Sequence, residues 1–257
     1  MTDRRRCVVL TGASRGLGLA MAHALMAQAA DLRLLCLSRQ GVAPPAAAGA
    51  LVDAWAVDLA EPAPVAQRLH DWLAALDPTT VASATLINNA GVLAPAVPLA
   101  ECPADDLSRA LRVGLEAPMA LTAAFLRATG AWVDSGWRGP RRVLNVSSGL
   151  GRRAMAAQAP YAAAKAGLDH FTRCAALDEA ARPHGARLVS LAPGVIDTDM
   201  QVQLRAGDPR RFPDHARFVQ LQTQGLLTTP ETAARQVLAW LDRPDFGQEP
   251  VADVRDA

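Results

Sequence analysis

Two hydrophobic rhythms alternate along this chain: short, nearly continuous apolar runs, and longer stretches in which apolar residues recur every three or four positions. The runs at 7–11, 32–38, 50–57, 84–87, 141–146 and 186–191 predict six strands. The stretches from 17 to about 29, 62–76, 103–129, 160–181 and 230–241 predict helices. In 62–76, for example, Val65, Leu69, Trp72 and Leu73 fall on one face. Strands that are apolar throughout, each followed by a helix, predict an α/β fold. Between Asp199 and Leu227 the pattern is polar and irregular, with helix-like pieces around Met200, Leu204, Phe212 and Phe218. That segment, about 195–228, suits a lid over a site and equally a helical insertion on the surface.

Composition narrows the classes. A chain of 257 residues with 51% apolar content can bury one sizeable core, so 1–257 is expected to be a single domain. A formal charge of +1, with scattered arginines, provides no field for nucleic acid or an anionic membrane. Arg4-Arg5-Arg6 reads as a solvated chain end. Cys7, Cys36, Cys102 and Cys174 lie far apart and the five histidines lack ligand spacing, so buried or partly buried free thiols and no metal are expected. No apolar run reaches the ~18 residues of a membrane span. A strand that starts by Cys7 leaves no room for a cleavable signal, and a soluble, cytoplasmic protein is expected.

The strand ends carry the candidate chemistry. The first runs into Thr11-Gly12-Ala-Ser14-Arg15-Gly16-Leu17-Gly18 and then a helix, an order that lets backbone approach a diphosphate at a helix N-terminus. The second ends in Ser38-Arg39, where an NAD site usually has an acid for the ribose 2′-hydroxyl. Arg39 and Arg15 can instead hold a 2′-phosphate, which favours NADP(H). Asp58-Leu59 closes the third strand, where a carboxylate can accept from an adenine amino group. Asn88-Asn89-Ala90-Gly91 follows the fourth, at the end of the sheet where open α/β proteins bind ligands. Ser147-Ser148-Gly149 ends the fifth. The sixth runs into Pro193-Gly194-Val195-Ile196-Asp197-Thr198, whose backbone could meet a carboxamide and whose Thr198 could bond it or the phosphate.

Tyr161 and Lys165 are the only tyrosine and the only lysine of the chain, and they stand four residues apart. On a helix that spacing puts both on one face, one turn apart, in an alanine-rich setting that leaves room for a ligand. A phenol is a poor proton relay at neutral pH, and an ammonium beside it is expected to lower its pKa and make it a usable acid or base. The same spacing also suits an amphipathic helix on which a tyrosine packs and a lysine snorkels.

Taken in order, TGASRGLG, Asp58-Leu59, NNAG, Ser148, Tyr161-xxx-Lys165 and PGVIDT resemble the short-chain dehydrogenase/reductase family, from Cys7 to about Leu241. Within it the chain is similar to the sepiapterin reductase and benzil reductase-like members, through the Ser-Arg of the glycine turn, Asp197-Thr-Asp-Met200-Gln201, Gly225-Leu-Leu227 and a tail with Asp253. The resemblance implies a doubly wound Rossmann-type parallel sheet with helices on both faces, an NADP(H) cofactor and a homodimer or homotetramer. It implies that Tyr161 is the general acid, that Lys165 lowers its pKa and holds the nicotinamide ribose, and that Ser148 orients a carbonyl. Gly12, Ser14, Arg15, Gly16, Leu17, Gly18, Ser38, Arg39, Asp58, Leu59, Asn89, Ala90, Gly91, Pro193, Gly194, Val195 and Thr198 would hold cofactor with Tyr161 and Lys165. Ser148, Gly149, Tyr161, Met200 and Asp253 would hold substrate, Asp253 matching the carboxylate that grips a pterin. With Leu150, Met155 and Val195 nearby, the substrate is expected to be a small carbonyl compound, an aromatic or bicyclic dicarbonyl. One departure is Gly114, where the family usually has asparagine. It motivates a competing reading, an NADP(H)-binding regulatory protein with little or no turnover. A methyltransferase would explain the glycine turn and leave Tyr161, Lys165 and Ser148 without roles.

Overall fold

A computed structural model describes residues 4–28, 31–46 and 48–256. Seven strands form one parallel sheet in the order β3-β2-β1-β4-β5-β6-β7. They are β1 (Arg5–Thr11), β2 (Leu32–Ser38), β3 (Leu51–Ala56), β4 (Val81–Asn88), β5 (Arg141–Val146), β6 (Arg187–Ala192) and β7 (Val251–Asp253). The doubly wound Rossmann-type fold is thus present in a single α/β domain. The order of the strands reverses between β1 and β4, which run parallel, and this is the switch point at which such sheets bind ligands.

Both faces are buried, and side chains sort by the two-residue period of a strand. Val8, Leu10, Leu34 and Cys36 pack under helices α1 (Gly16–Gln28) and α8 (Pro230–Leu241), against Met21, Leu25 and Val237. Cys7, Val9, Leu35 and Leu37 point the other way, to α2 (Pro62–Ala74), with Leu69 and Leu73, and to the helix carrying Leu121 and Phe125. A third, small core of Leu204, Phe212 and Phe218 lies under α6 (Asp199–Arg205) and α7 (His215–Thr223), the helical pieces of the irregular segment.

The structure corrects several expectations. Helix 103–129 is two helices, α3 (Ala104–Leu111) and α4 (Ala117–Asp134), joined by a π turn at Arg112–Glu116. Pro118 is the cause: it has no N–H for the carbonyl of Gly114, four residues back, and its ring crowds that carbonyl. The Ala117 amide accordingly reaches five residues back, to the Arg112 carbonyl. Gly114 also lets the turn press on the next helix, α5 (Ala159–Ala180), since a Cβ there would stand 3.0 Å from Ala164 Cβ. Trp132, beyond the expected helix end at 129, lies in the last turn of α4 and stacks edge-on against Trp137 at 5.5 Å. Arg5 and Arg6 are the start of β1 and not a solvated end; Arg6 pairs with Asp31 at 3.9 Å and Arg5 donates to the Gly49 carbonyl. The expected end of α1 near Ala29 lies outside the described residues. β7 was not expected; three residues in a tail of mixed polarity carry too little pattern.

All four cysteines are free thiols; Cys7 and Cys36 are buried, which pushes each thiol up to about 12, Cys102 is half-buried, and Cys174 is exposed, contrary to expectation. Among the described residues no cluster of His, Cys, Asp or Glu could hold a metal ion, and no helix is long and apolar enough to cross a membrane.

Candidate active site

At the carboxyl ends of β1, β4, β5 and β6 the loops enclose one cleft of about 320 Å³, and every site residue expected from the sequence lines it. The cleft runs from Arg39 past the glycine turn to Tyr161 and on to Met200 and Phe218.

The glycine turn is shaped by close approach. Gly12 has φ +70°, and a Cβ on Gly18 would lie 2.0 Å from the Gly12 carbonyl, so only glycine lets α1 start against the turn. The first amides of α1 then face the cleft without intrahelical acceptors, as a diphosphate requires. Thr11 ties this turn to the next loop: its Oγ1 accepts from the Asn89 and Ala90 amides at 2.9 and 3.0 Å, and Asn89 Nδ2 donates to the Thr11 carbonyl at 3.0 Å. Thr198 closes over the turn, 3.3 Å from where a Gly16 Cβ would stand. With Gly12, Ser14, Gly16 and Gly18 lining the cleft at the start of a helix, these features fit the diphosphate of a dinucleotide.

Further along, Asp58 accepts from the Ala60 amide at 2.9 Å and from Arg109 at 3.0 Å. The amide bond first, then Arg109, hold its carboxyl below the usual range against partial burial. Arg15 pairs with Asp199 at the start of α6, at 2.9 Å, both side chains being largely in solvent. Arg39 is exposed at the end of β2.

At the other end, α5 presents Tyr161 and Lys165 on one face toward the strand end that carries Ser148. The Lys165 amine donates to the Val146 carbonyl at 2.7 Å and lies 5.6 Å from the Tyr161 ring centroid. Ser148 Oγ accepts from the Leu150 amide at 3.2 Å and, beside the Tyr161 phenol in the same cleft, acts to lower the phenol's pKa. The expected electrostatics need correction. Burial raises the phenol's pKa, and what pulls it back is Ser148 and not Lys165. Lys165 is itself buried, which lowers its pKa to about 8, with Asp169 opposing the drop. A desolvated amine committed to a carbonyl acidifies a neighbour weakly.

Asp253 lines the cleft from β7, buried, but both its oxygens are engaged within the chain: Arg255 donates at 2.7 and 2.5 Å and Arg152 stands at 3.7 Å. Those arginines, Arg255 first, hold its carboxyl below the usual range. Sequence reasoning missed the buried ladder beneath the site. Asn88 Nδ2 donates to Thr122 at 3.2 Å and to Asn145 at 2.8 Å, and Asn145 donates to Thr172 at 2.9 Å. The available signal was a polar residue at an inward position of an otherwise apolar strand, as Asn145 is in RRVLNV.

This fold and site define a class. The chain belongs to the short chain dehydrogenase family, whose model matches residues 6–209. It is similar to the benzil reductase ((S)-benzoin forming) of Bacillus cereus, with 31% identity over 95% of this chain and 96% of that protein. The protein of the same name from Bacillus subtilis (strain 168) is 28% identical over 91% and 93%. Among solved structures, the KRED1-Pglu enzyme matches with a TM-score of 0.74 and 27% identity, over 94% of this chain and 98% of that one. The protein is thus an oxidoreductase of the short-chain type with benzil reductase-like relatives.

Proposed function

We propose that the chain is an NADPH-dependent carbonyl reductase that converts a ketone or vicinal dicarbonyl, sepiapterin- or benzil-like, to an alcohol, with Tyr161 as general acid. The observation that carries this is that Ser148, Tyr161 and the buried Lys165 together line the end of the same cleft that begins at the glycine turn. When bound, the dinucleotide supplies the hydride. Tyr161 holds the proton: with its pKa raised by burial, the phenol is fully protonated at neutral pH and loaded as an acid. Ser148 takes the Leu150 amide as donor and lies beside the phenol, placed to orient the substrate oxygen with it. Lys165 spends one of three N–H donors on Val146 and keeps the others for a ribose hydroxyl.

Arg39 and Arg15, with no acid at the end of β2, support NADP(H) over NAD(H). The benzil reductase relatives and an apolar border of Leu150, Met155 and Met200 support an aromatic dicarbonyl. The α6–α7 segment, which reaches the cleft through Met200, Leu204 and Phe218, is proposed as the lid. Exposed Met119 on α4 and Leu177 on α5 support a homodimer or homotetramer packed through those helices. A cytoplasmic location is proposed with this chemistry. The test is NADPH and NADH oxidation, side by side, with benzil, other vicinal diketones and sepiapterin. Turnover with NADPH is expected; folded protein that binds NADPH and turns over none of them would favour the regulatory alternative.

A further inference from the structure

Directly behind Lys165 the structure buries a carboxylate that the reading above does not use. Asp169, one turn further along α5, is 2% exposed. Its Oδ1 accepts from Ser147, at the end of β5, at 2.5 Å and from Ser190, on β6, at 2.7 Å. Its Oδ2 is buried without a hydrogen-bond partner. The short turn Gly149–Gly151, which follows Ser148, lies on that second oxygen: a Cβ on Gly151 would stand 2.6 Å from Oδ2 and 3.1 Å from the Lys165 carbonyl. Any side chain at residue 151 would lift the turn, and Ser148 with it, off α5.

We propose that Asp169 is a positioning residue of this site: it supplies the counter-charge for the Lys165 ammonium one turn away and seats the turn that presents Ser148. Two hydroxyls donate to one oxygen of the buried carboxyl group, and at i,i+4 on α5 Asp169 shares a helix face with Lys165. The surroundings leave it this task. Toward Lys165, α5 presents Tyr161 and Asp169, β5 presents the Val146 carbonyl, and the loop after β4 presents Gly91. Toward Asp169, β5 and β6 present serines and the turn presents glycine. The next charges are Arg152, spent on the Ala252 carbonyl and Asp253, Arg153, packed over Gly149, and Asp253 on β7, covered by Arg255. Asp169 is the anion among the charge influences on Lys165, and its effect raises the amine's proton affinity against burial.

The inference deepens the proposed role of Lys165, but its test does not depend on activity. Because Lys165 is the only lysine, protein grown with 13C-lysine gives a single side-chain Cε resonance, and its pH titration reads this one amine without cofactor or substrate. Asp169→Asn is expected to lower the midpoint by about one pH unit or more relative to the unsubstituted protein. The basic limb of the pH–rate profile should move down with it. An unchanged midpoint in folded Asp169→Asn would overturn the proposal, whatever the activity assay returns. Should Asp169→Asn not fold, the double variant with Lys165→Met decides: removing the amine should restore the fold if the two charges are partners. A double variant that also fails to fold would show a packing role alone and sink the idea.

Discussion

The two ends of the cleft are built from different kinds of polar contact. At the end beside β2 and the glycine turn the charges are on the surface: Arg15–Asp199, Arg109–Asp58 and the exposed Arg39 sit in water, where an ion pair contributes little and rearranges at little cost. At the chemical end the polar groups are sealed in. Thr122, Asn88, Asn145 and Thr172 form a ladder through the sheet, and Lys165 and Asp169 lie buried beside it. Buried groups of this kind are costly when unpaired, and so they fix one geometry. The exposed end can choose its ligand by charge; the buried end holds Tyr161, Lys165 and Ser148 ready before a ligand arrives.

The largest effect should come from breaking the buried end. Tyr161→Phe is expected to reduce kcat by about 10²–10⁴-fold while NADPH binding persists, by steady-state kinetics beside a fluorescence titration. Next, the pH dependence of stability should carry the mark of Lys165. Its folded pKa, about 8, lies below the ordinary lysine value of 10.5, so between these values the unfolded chain binds the extra proton. Stability from this group therefore rises with pH from about 8 toward 10.5, by on the order of 3 kcal/mol. Lys165→Met should flatten that slope in urea unfolding at pH 8 and pH 10; an identical slope in the variant would remove the burial cost from the account.

A smaller loss tests the ladder. Asn145→Ala strips partners from Asn88 and Thr172 and should destabilise the fold by about 1–3 kcal/mol in denaturant unfolding. The smallest effect belongs to the exposed end. Arg39→Ala should weaken NADPH binding by about tenfold and leave NADH nearly untouched, as one solvent-exposed charge contact implies. Equal losses for both cofactors would mean that Arg39 does not read the 2′-phosphate.

Much of this was legible because strand ends and turn chemistry are local. Glycines 12, 16 and 18 were readable from spacing because their roles are steric, and β2, β5 and α8 follow from runs of uniform rhythm. The pairing of Tyr161 with Lys165 on one face follows from helical period alone. The π turn could have been read as well, from Pro118 four places after Gly114, but a continuous apolar rhythm across it hid the break.

The order of residues along the chain thus determined which groups the site contains, since period and turn type act over a few positions. What those groups do to one another only the folded molecule decided. The phenol's pKa goes up and not down because burial outweighs the pull of Ser148, and burial is set by elements far apart in sequence. Asp169 meets Ser147 and Ser190, and Asp253 meets Arg152, only when β5, β6 and β7 lie side by side. Solvation and pairing are properties of a packed environment, and no local pattern encodes them.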